Sequence, residues 1–265
     1  MIGIFDSGVG GLCALAAAKK AMPRADFVYF ADEGNLPYGE KEPRELVRLT
    51  RRAITLLLAE GAQILLAACG TVSAVALPEV RTDCPVPLLG VLSPAAEAAG
   101  RAHAVRGGDI LLLGTRATLK SGAFSGEIQK FATHAPIHTL PCPFFVRLAE
   151  GGHTAENDPF AAMCVARILA PTDGYPVRTV VLGCTHFSYL YALISARFPH
   201  AEPIDAAREA AWALARTHPT CGERGRGEVR LLTSGEPQHL LLAAKRLFAA
   251  QGLDTDGLKV PTRVF

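Results

Sequence analysis

Two cysteines stand in matching contexts 115 residues apart, Cys69 within ILLAACGTVSA and Cys184 within TVVLGCTHFSYL. Each follows a short apolar run and a small residue, has a threonine close behind it (Thr71, Thr185), and leads into a segment expected to be helical. A side chain at the end of a parallel strand sits where open α/β sheets place their ligands. Backbone N–H groups and the positive end of a helix dipole there favour thiolate.

Three chemistries are open to such a pair. Cys69, Cys184 and His186 are acceptable zinc ligands, but neither cysteine has a CxxC partner and Cys-x-His makes a cramped ligand pair. Free cysteine is also commonly a small buried hydrophobe, which is the reading for Cys13, Cys84, Cys142, Cys164 and Cys221. The third is two-base proton transfer. An amino acid's Cα–H is a very weak acid, and inverting that centre needs a base on one face and an acid on the other. Two thiols on opposite walls of a cleft supply both, with roles reversed for the other enantiomer. Threonine hydroxyls and strand-end N–H groups would hold the carboxylates. His186 is placed to assist Cys184, and Asp6 to do the same for Cys69.

The elements that must position these groups follow an alternating pattern. Met1–Phe5 reads as a buried strand and Asp6-Ser7-Gly8-Val9-Gly10-Gly11 as a Gly-rich turn into a helix over Leu12–Lys20. That turn is either an anion-binding loop or simply a tight connection. It is not the dinucleotide fingerprint, because Cys13 occupies the third glycine position. Asp26–Ala31 is a second strand, followed by Pro37-Tyr38-Gly39, whose tyrosine hydroxyl could face a ligand or solvent. The apolar positions after Pro43 repeat every 3.6 residues to about Glu60. Val86–Leu92 is a strand, with Ser93 as N-cap and Pro94 opening the next helix.

The pattern then restarts. Asp109–Gly114 is a buried strand with Thr115 and Thr118 behind it, and His138–Pro141 is a short strand. Asn157–Leu169 is helical, Thr179–Leu182 leads to Cys184, and Ala201–Asp205 is a strand before an Ala-rich helix over Ala206–Arg216. Glu228–Thr233 and Gln238–Ala250 form a last strand and helix. Strands alternating with helices predict two similar α/β domains with mostly parallel sheets and the site in the cleft between them. Residues 1–92 with 206–265 form the first, discontinuous domain, and residues 93–205 the second.

Bulk properties exclude several function classes. In 265 residues, 27 basic side chains face 25 acidic ones, and a net charge of +2 gives no electrostatic case for nucleic acid. Arg224-Gly225-Arg226 reads as a solvated turn rather than a phosphate site. No window reaches the roughly 18 apolar residues of a membrane span, and the opening MIGIFDSGVGG is not a secretory signal. Seven cysteines without regular close spacing do not form a disulfide framework, so a reducing cytoplasm is expected.

Taken together, these segments resemble the glutamate racemases, of the cofactor-independent aspartate/glutamate racemase superfamily. The resemblance is carried by Ile4–Leu12, Pro37-Tyr38-Gly39, Ala68-Cys69 with Thr71 and Ser73, Leu113-Gly114-Thr115 with Thr118, and Gly183-Cys184-Thr185-His186, in the family's order over nearly the whole chain. It implies interconversion of L- and D-glutamate without pyridoxal phosphate or metal, with Cys69 and Cys184 as the acid/base pair. It implies substrate-binding or tuning roles for Asp6, Ser7, Pro37, Tyr38, Gly39, Gly70, Thr71, Thr115, Thr118, Thr185 and His186, and a supporting one for Glu150, which would orient His186. It further implies D-glutamate supply for peptidoglycan, and so for the cell wall and cell shape, in a bacterial cytoplasm, by a homodimer.

The chain also departs from the family pattern. Gly70 stands where the family usually has Asn, and Phe187-Ser188 where it has Tyr-Pro. Asp32-Glu33-Gly34-Asn35 replaces the usual Asp-Thr-Ala-Arg. A relative acting on aspartate or another acidic amino acid, or a weakly active binding protein, is the alternative expectation.

Overall fold

The computed structural model describes every residue except 223, 224, 260 and 265, so the Arg224 turn lies outside the described residues. The apolar runs form two all-parallel sheets. One holds β1 (Ile2–Asp6), β2 (Phe27–Ala31), β3 (Ile64–Ala67) and β4 (Leu88–Gly90). The other holds β5 (Asp109–Gly114), β6 (Ile137–Pro141), β7 (Val177–Leu182) and β8 (Glu202–Asp205). The chain then returns to the first sheet with β9 (Val229–Thr233) and β10 (Thr262–Arg263). The strand orders are β10-β9-β2-β1-β3-β4 and β6-β5-β7-β8. These are two parallel-sheet α/β domains, the first taking strands from both ends of the chain.

Helices cover the sheets because parallel strands need crossovers and both faces are apolar. In chain order they are α1 (Leu12–Ala21), α2 (Pro43–Ala59), α3 (Leu77–Val80), α4 (Leu92–Arg106), α5 (Arg116–Lys120), α6 (Ala123–Phe131), α7 (Pro143–Glu150), α8 (Pro159–Leu169), α9 (Tyr191–Arg197), α10 (Ala206–Thr217) and α11 (Pro237–Ala250). The Ala-rich helices α4 and α10 pack against each other, and α10 also packs on α1. Alanine faces allow that close approach. One core cluster therefore runs unbroken from Ile4 and Leu12 through Ala96, Ala99 and Ala210 to Ile110 and Val181. Among the described residues no helix is long and apolar enough to cross a membrane.

Several local expectations are corrected. Ser93 is not an N-cap: α4 begins at Leu92 with Val91 before it, and the Ser93 hydroxyl instead donates to Glu127, 2.7 Å away. The strand expected over Val86–Leu92 is only β4, because helical backbone has begun by Leu92. Helical backbone follows Cys69 at once and runs over residues 70–80, with a π segment inside it, whereas Cys184 leads into 3-10 turns. A wide π turn over Val72–Ala76 precedes α3, and 3-10 turns over Thr185–Leu190 precede α9. Cys69 therefore sits at a helix N-terminus, with the Val72 N–H directed at its sulfur, while Cys184 has only the shorter 3-10 turns behind it.

Candidate active site

Register places the chemistry. β1 and β3 are neighbours, with Phe5 opposite Ala67, so Asp6 and Cys69 leave the first sheet side by side at its carboxyl edge. β5 and β7 are neighbours in the second sheet, with Leu113 opposite Leu182, so Thr115 and Cys184 leave it together. The two edges face one another across a cavity of about 250 Å³ lined by both cysteines. Ser7, Pro37, Tyr38, Gly39, Thr71, Thr115, Thr185, His186 and Glu150 also line it.

At the first edge, Asp6 is buried and its carboxylate accepts from the Ser7 N–H at 2.6 Å and the Ser7 hydroxyl at 3.2 Å. Burial pushes the Asp6 carboxyl up, against the opposing pull of His186, Thr185 and Ser7. The Cys69 thiol is pushed well above its usual range by burial and by the Asp6 carboxylate beside it, against a hydrogen bond from the Val72 N–H. The expectation that this strand end favours thiolate at rest is thus reversed for Cys69. It holds its proton, and Asp6, itself shifted up, is the adjacent group able to take it.

At the second edge, the His186 ring bridges two groups. Its Nδ1 lies 3.8 Å from the Cys184 sulfur and its Nε2 2.5 Å from Glu150 Oε1. Burial alone would lower the imidazolium pKa. Interaction with Cys184 and Glu150 outweighs it, and the pKa rises well above the ordinary value. Burial likewise opposes ionisation of Glu150, but the bond and charge of His186 and the Val9 N–H hold its pKa below the usual carboxylate range. We read this as a buried imidazolium–carboxylate pair behind Cys184.

Cross-links tie the edges together. The Thr185 hydroxyl donates to Asp6 Oδ2 at 2.7 Å, and the Val9 N–H donates to Glu150 at 3.1 Å. The Gly-rich turn has its explanation here. A Cβ at Gly10 would lie 2.5 Å from His186 Nδ1, and one at Gly8 would strike the Glu150 carboxylate. The glycines let the other edge approach, and neither lines the cavity. Gly70 is tighter still, since its Cβ would lie 2.0 Å from the Gly183 carbonyl oxygen and 3.6 Å from Cys184 Cα.

Thr71, Thr115 and Thr118 form a buried hydroxyl trio across the cleft, at 2.9 Å (Thr71–Thr115), 3.3 Å (Thr71–Thr118) and 2.9 Å (Thr115–Thr118). Thr115 also caps α5 by accepting from the Thr118 N–H. Tyr38 lines the cavity, but its hydroxyl is not directed at a ligand, because it donates to Asp32 at 2.5 Å. Ser73 is structural: it donates to the Ala67 carbonyl and accepts from the Val91 N–H. Sequence reasoning did not single out Arg116 and Arg147, which line the same cavity. For Arg147 the available signal was its three-residue spacing from Glu150, which places both on one face of α7. A larger cavity of about 700 Å³ lies behind Val9 and Glu150, lined by Cys13, Tyr189, Arg208 and Trp212 among others, and reaches neither Cys69 nor Cys184.

Two parallel-sheet domains with a thiol at each facing edge define a class, and comparison with known proteins agrees. The Asp/Glu/hydantoin racemase family matches residues 13–214, and the chain belongs to that family. Within it, the chain is similar to the glutamate racemase of Thermus thermophilus, with 36% identity over 251 residues, 93% of this chain and 91% of that one. It is 35% identical to the glutamate racemase of Gloeobacter violaceus over 92% of this chain and 91% of that one. The crystal structure of the Thermus thermophilus glutamate racemase in complex with β-chloro-D-alanine matches with a TM-score of 0.82 at 34% identity, covering 99% of this chain and 96% of that one.

Proposed function

We propose that this chain interconverts L- and D-glutamate by passing the Cα proton between Cys69 and Cys184. The observation that carries the reading is the pairing: one cavity receives a cysteine from each sheet, and each cysteine has its own proton partner. For one enantiomer, Cys69 surrenders its proton to Asp6 and the resulting thiolate abstracts from Cα, while the Cys184 thiol donates on the opposite face. For the other enantiomer the flow reverses. The imidazolium 3.8 Å from the Cys184 sulfur then counters the negative charge that develops there. Glu150 fixes the ring through Nε2 and keeps Nδ1 turned to the sulfur.

The substrate's α-carboxylate is met by hydroxyls and N–H groups rather than by buried cations. Ser7, Thr71, Thr115 and Thr185 border the cavity, and Thr118 holds the hydroxyls of Thr71 and Thr115 in place. Backbone at Gly39, with the Pro37-Tyr38 wall, completes the enclosure, while Gly70 packs against the Gly183 carbonyl and does not line the cavity. The unit boundaries that go with this reading are residues 1–92 with 206–265, and 93–205. By family resemblance, the role is D-glutamate supply for peptidoglycan in a bacterial cytoplasm, by a homodimer.

Incubation with L-glutamate in deuterated water tests the function. Deuterium is expected at Cα, with D-glutamate accumulating. Absence of both, starting from either enantiomer, rejects it. Faster exchange with aspartate than with glutamate would transfer the reading to aspartate.

A further inference from the structure

The charged side chains of the cleft carry an inference that rests on the proposed racemase reading and deepens it. Five charged side chains line the cavity: Glu40, Arg116, Arg147, Glu150 and His186. Glu150 and His186 neutralise each other at the inner end. The three at the mouth come from separate elements: Glu40 from the loop before α2, Arg116 from the first residue of α5, and Arg147 from α7. All three are exposed. Arg116 directly follows Thr115, a member of the hydroxyl trio. Arg147 shares its helix face with Pro143, Val146 and Glu150, all of which border the cavity.

Neither guanidinium lies within 4.0 Å of a carboxylate oxygen among the described residues, Glu40 included. Some exposed arginines elsewhere are paired, as Arg51, Arg101, Arg106 and Arg230 are, while others such as Arg44 and Arg48 are not among the described residues, so it is the position of Arg116 and Arg147 on the cavity lining that sets them apart. With the imidazole protonated, three cations face two carboxylates, so the lining carries one positive charge. An acidic amino acid, with one ammonium and two carboxylates, carries one negative charge, whereas a neutral amino acid carries none.

We propose that Arg116 and Arg147 form a cationic rim that recognises the second carboxylate of the substrate, so that the site selects dicarboxylic amino acids at its mouth. Guanidinium groups suit this task because they stay charged and pair with carboxylates in a fork geometry. A rim of this sign also raises the local concentration of an anionic substrate, an effect that salt screens.

The test compares the parent with Arg116→Ala, Arg147→Ala, the double variant and the two lysine variants. The double alanine variant is expected to raise KM for glutamate about tenfold or more while kcat stays within about twofold. The decline of kcat/KM with salt is expected to flatten, and lysine to restore part of it. Exchange on glutamine, which lacks the second carboxylate, should not change. An unchanged KM and salt dependence, or a fall in kcat with KM intact, overturns the rim. Calorimetric titration with glutarate, an unreactive dicarboxylate, separates this outcome from the fate of the racemase reading. If the parent exchanges no amino acid, weaker glutarate binding by the double variant still supports the rim, and equal binding rejects it.

Discussion

His186 holds a proton between two acceptors, and this fixes how the second edge responds to pH. Its folded pKa is raised, so its contribution to stability is fully present below the unfolded value of about 6.5 and is lost as pH rises through the folded value. The Glu150 pKa is depressed, so its contribution is present above about 4.3 and is lost as pH falls through the folded value. Glu150→Gln leaves a buried imidazole without its charge partner and should cost roughly 3 kcal/mol. The difference in melting temperature from the parent should be largest between about pH 4.3 and 6.5 and shrink toward alkaline pH. In the same variant the His186 titration, followed by NMR, should move to lower pH, because the carboxylate that stabilises the imidazolium is gone.

The cysteines give a paired residue-level expectation. Cys69→Ser and Cys184→Ser should each reduce racemisation by at least about 100-fold. Each should retain Cα exchange from one enantiomer only, and the retained enantiomer should differ between the two. Deuterium incorporation measured separately from L- and D-glutamate checks this. Exchange lost from both enantiomers in both variants would mean that the thiols do not divide the work by face.

At the scale of elements, the turn after β3 packs tightly against the turn after β7 across the cleft. A side chain at Gly70 would meet the Gly183 carbonyl, which is backbone and cannot rotate away. Gly70→Ala and Gly70→Asn should therefore force the two edges apart. A shift of about 1 Å in reacting groups can cost about 100-fold, so kcat should fall 10- to 100-fold while the protein stays folded. Full activity in Gly70→Asn would show that the edges have room to accommodate a side chain. Helix caps offer a gentler comparison. Asp205 accepts from the Ala207 and Arg208 N–H groups at the start of α10 and from the Ser188 hydroxyl. Asp205→Ala should cost about 1–2 kcal/mol, whereas Ser93→Ala, with no cap to lose, should cost less than about 0.5 kcal/mol. Thermal melts distinguish them.

These same elements show what a sequence can and cannot reveal. β1, β5 and β7 contain the apolar stretches 2–5, 110–113 and 180–182, buried on both faces, and such stretches are legible on their own. β10 is not, because Thr262–Arg263 is an exposed pair at a sheet edge with no apolar pattern. α7 hides behind a Cys-Pro-Phe-Phe run that could equally be strand or loop. Cys69, Cys184 and the expected help from Asp6 and His186 were readable because they repeat a context. Glu150 was readable only through resemblance, and the arginine rim was not, since it converges from elements about thirty residues apart.

For the whole molecule, the decisive feature is that the chain visits the first sheet, builds all of the second, and then returns. β9 pairs with β2 along five residues, from Phe27 opposite Val229 to Ala31 opposite Thr233. Removing residues 229–265 would strip that partner and expose β2 as a long apolar edge. The shortened chain should aggregate or lose its cooperative melt, while single substitutions at the cavity should not have that effect. Light scattering beside a thermal melt separates the two cases.

The same connectivity orders assembly in time. As the chain leaves the ribosome, the strands that carry Asp6 and Cys69 emerge before the second sheet, yet their own sheet lacks β9 and β10 until after that sheet has been made. The sheet carrying Cys184 has all four of its strands once residue 205 is out. The second sheet is thus free to fold before the first, although the first is begun earlier. A ribosome stalled once residue 205 has cleared its exit tunnel should display a protease-resistant second sheet and a still-digestible β2, a snapshot in which the two cysteines belong to structures of different age.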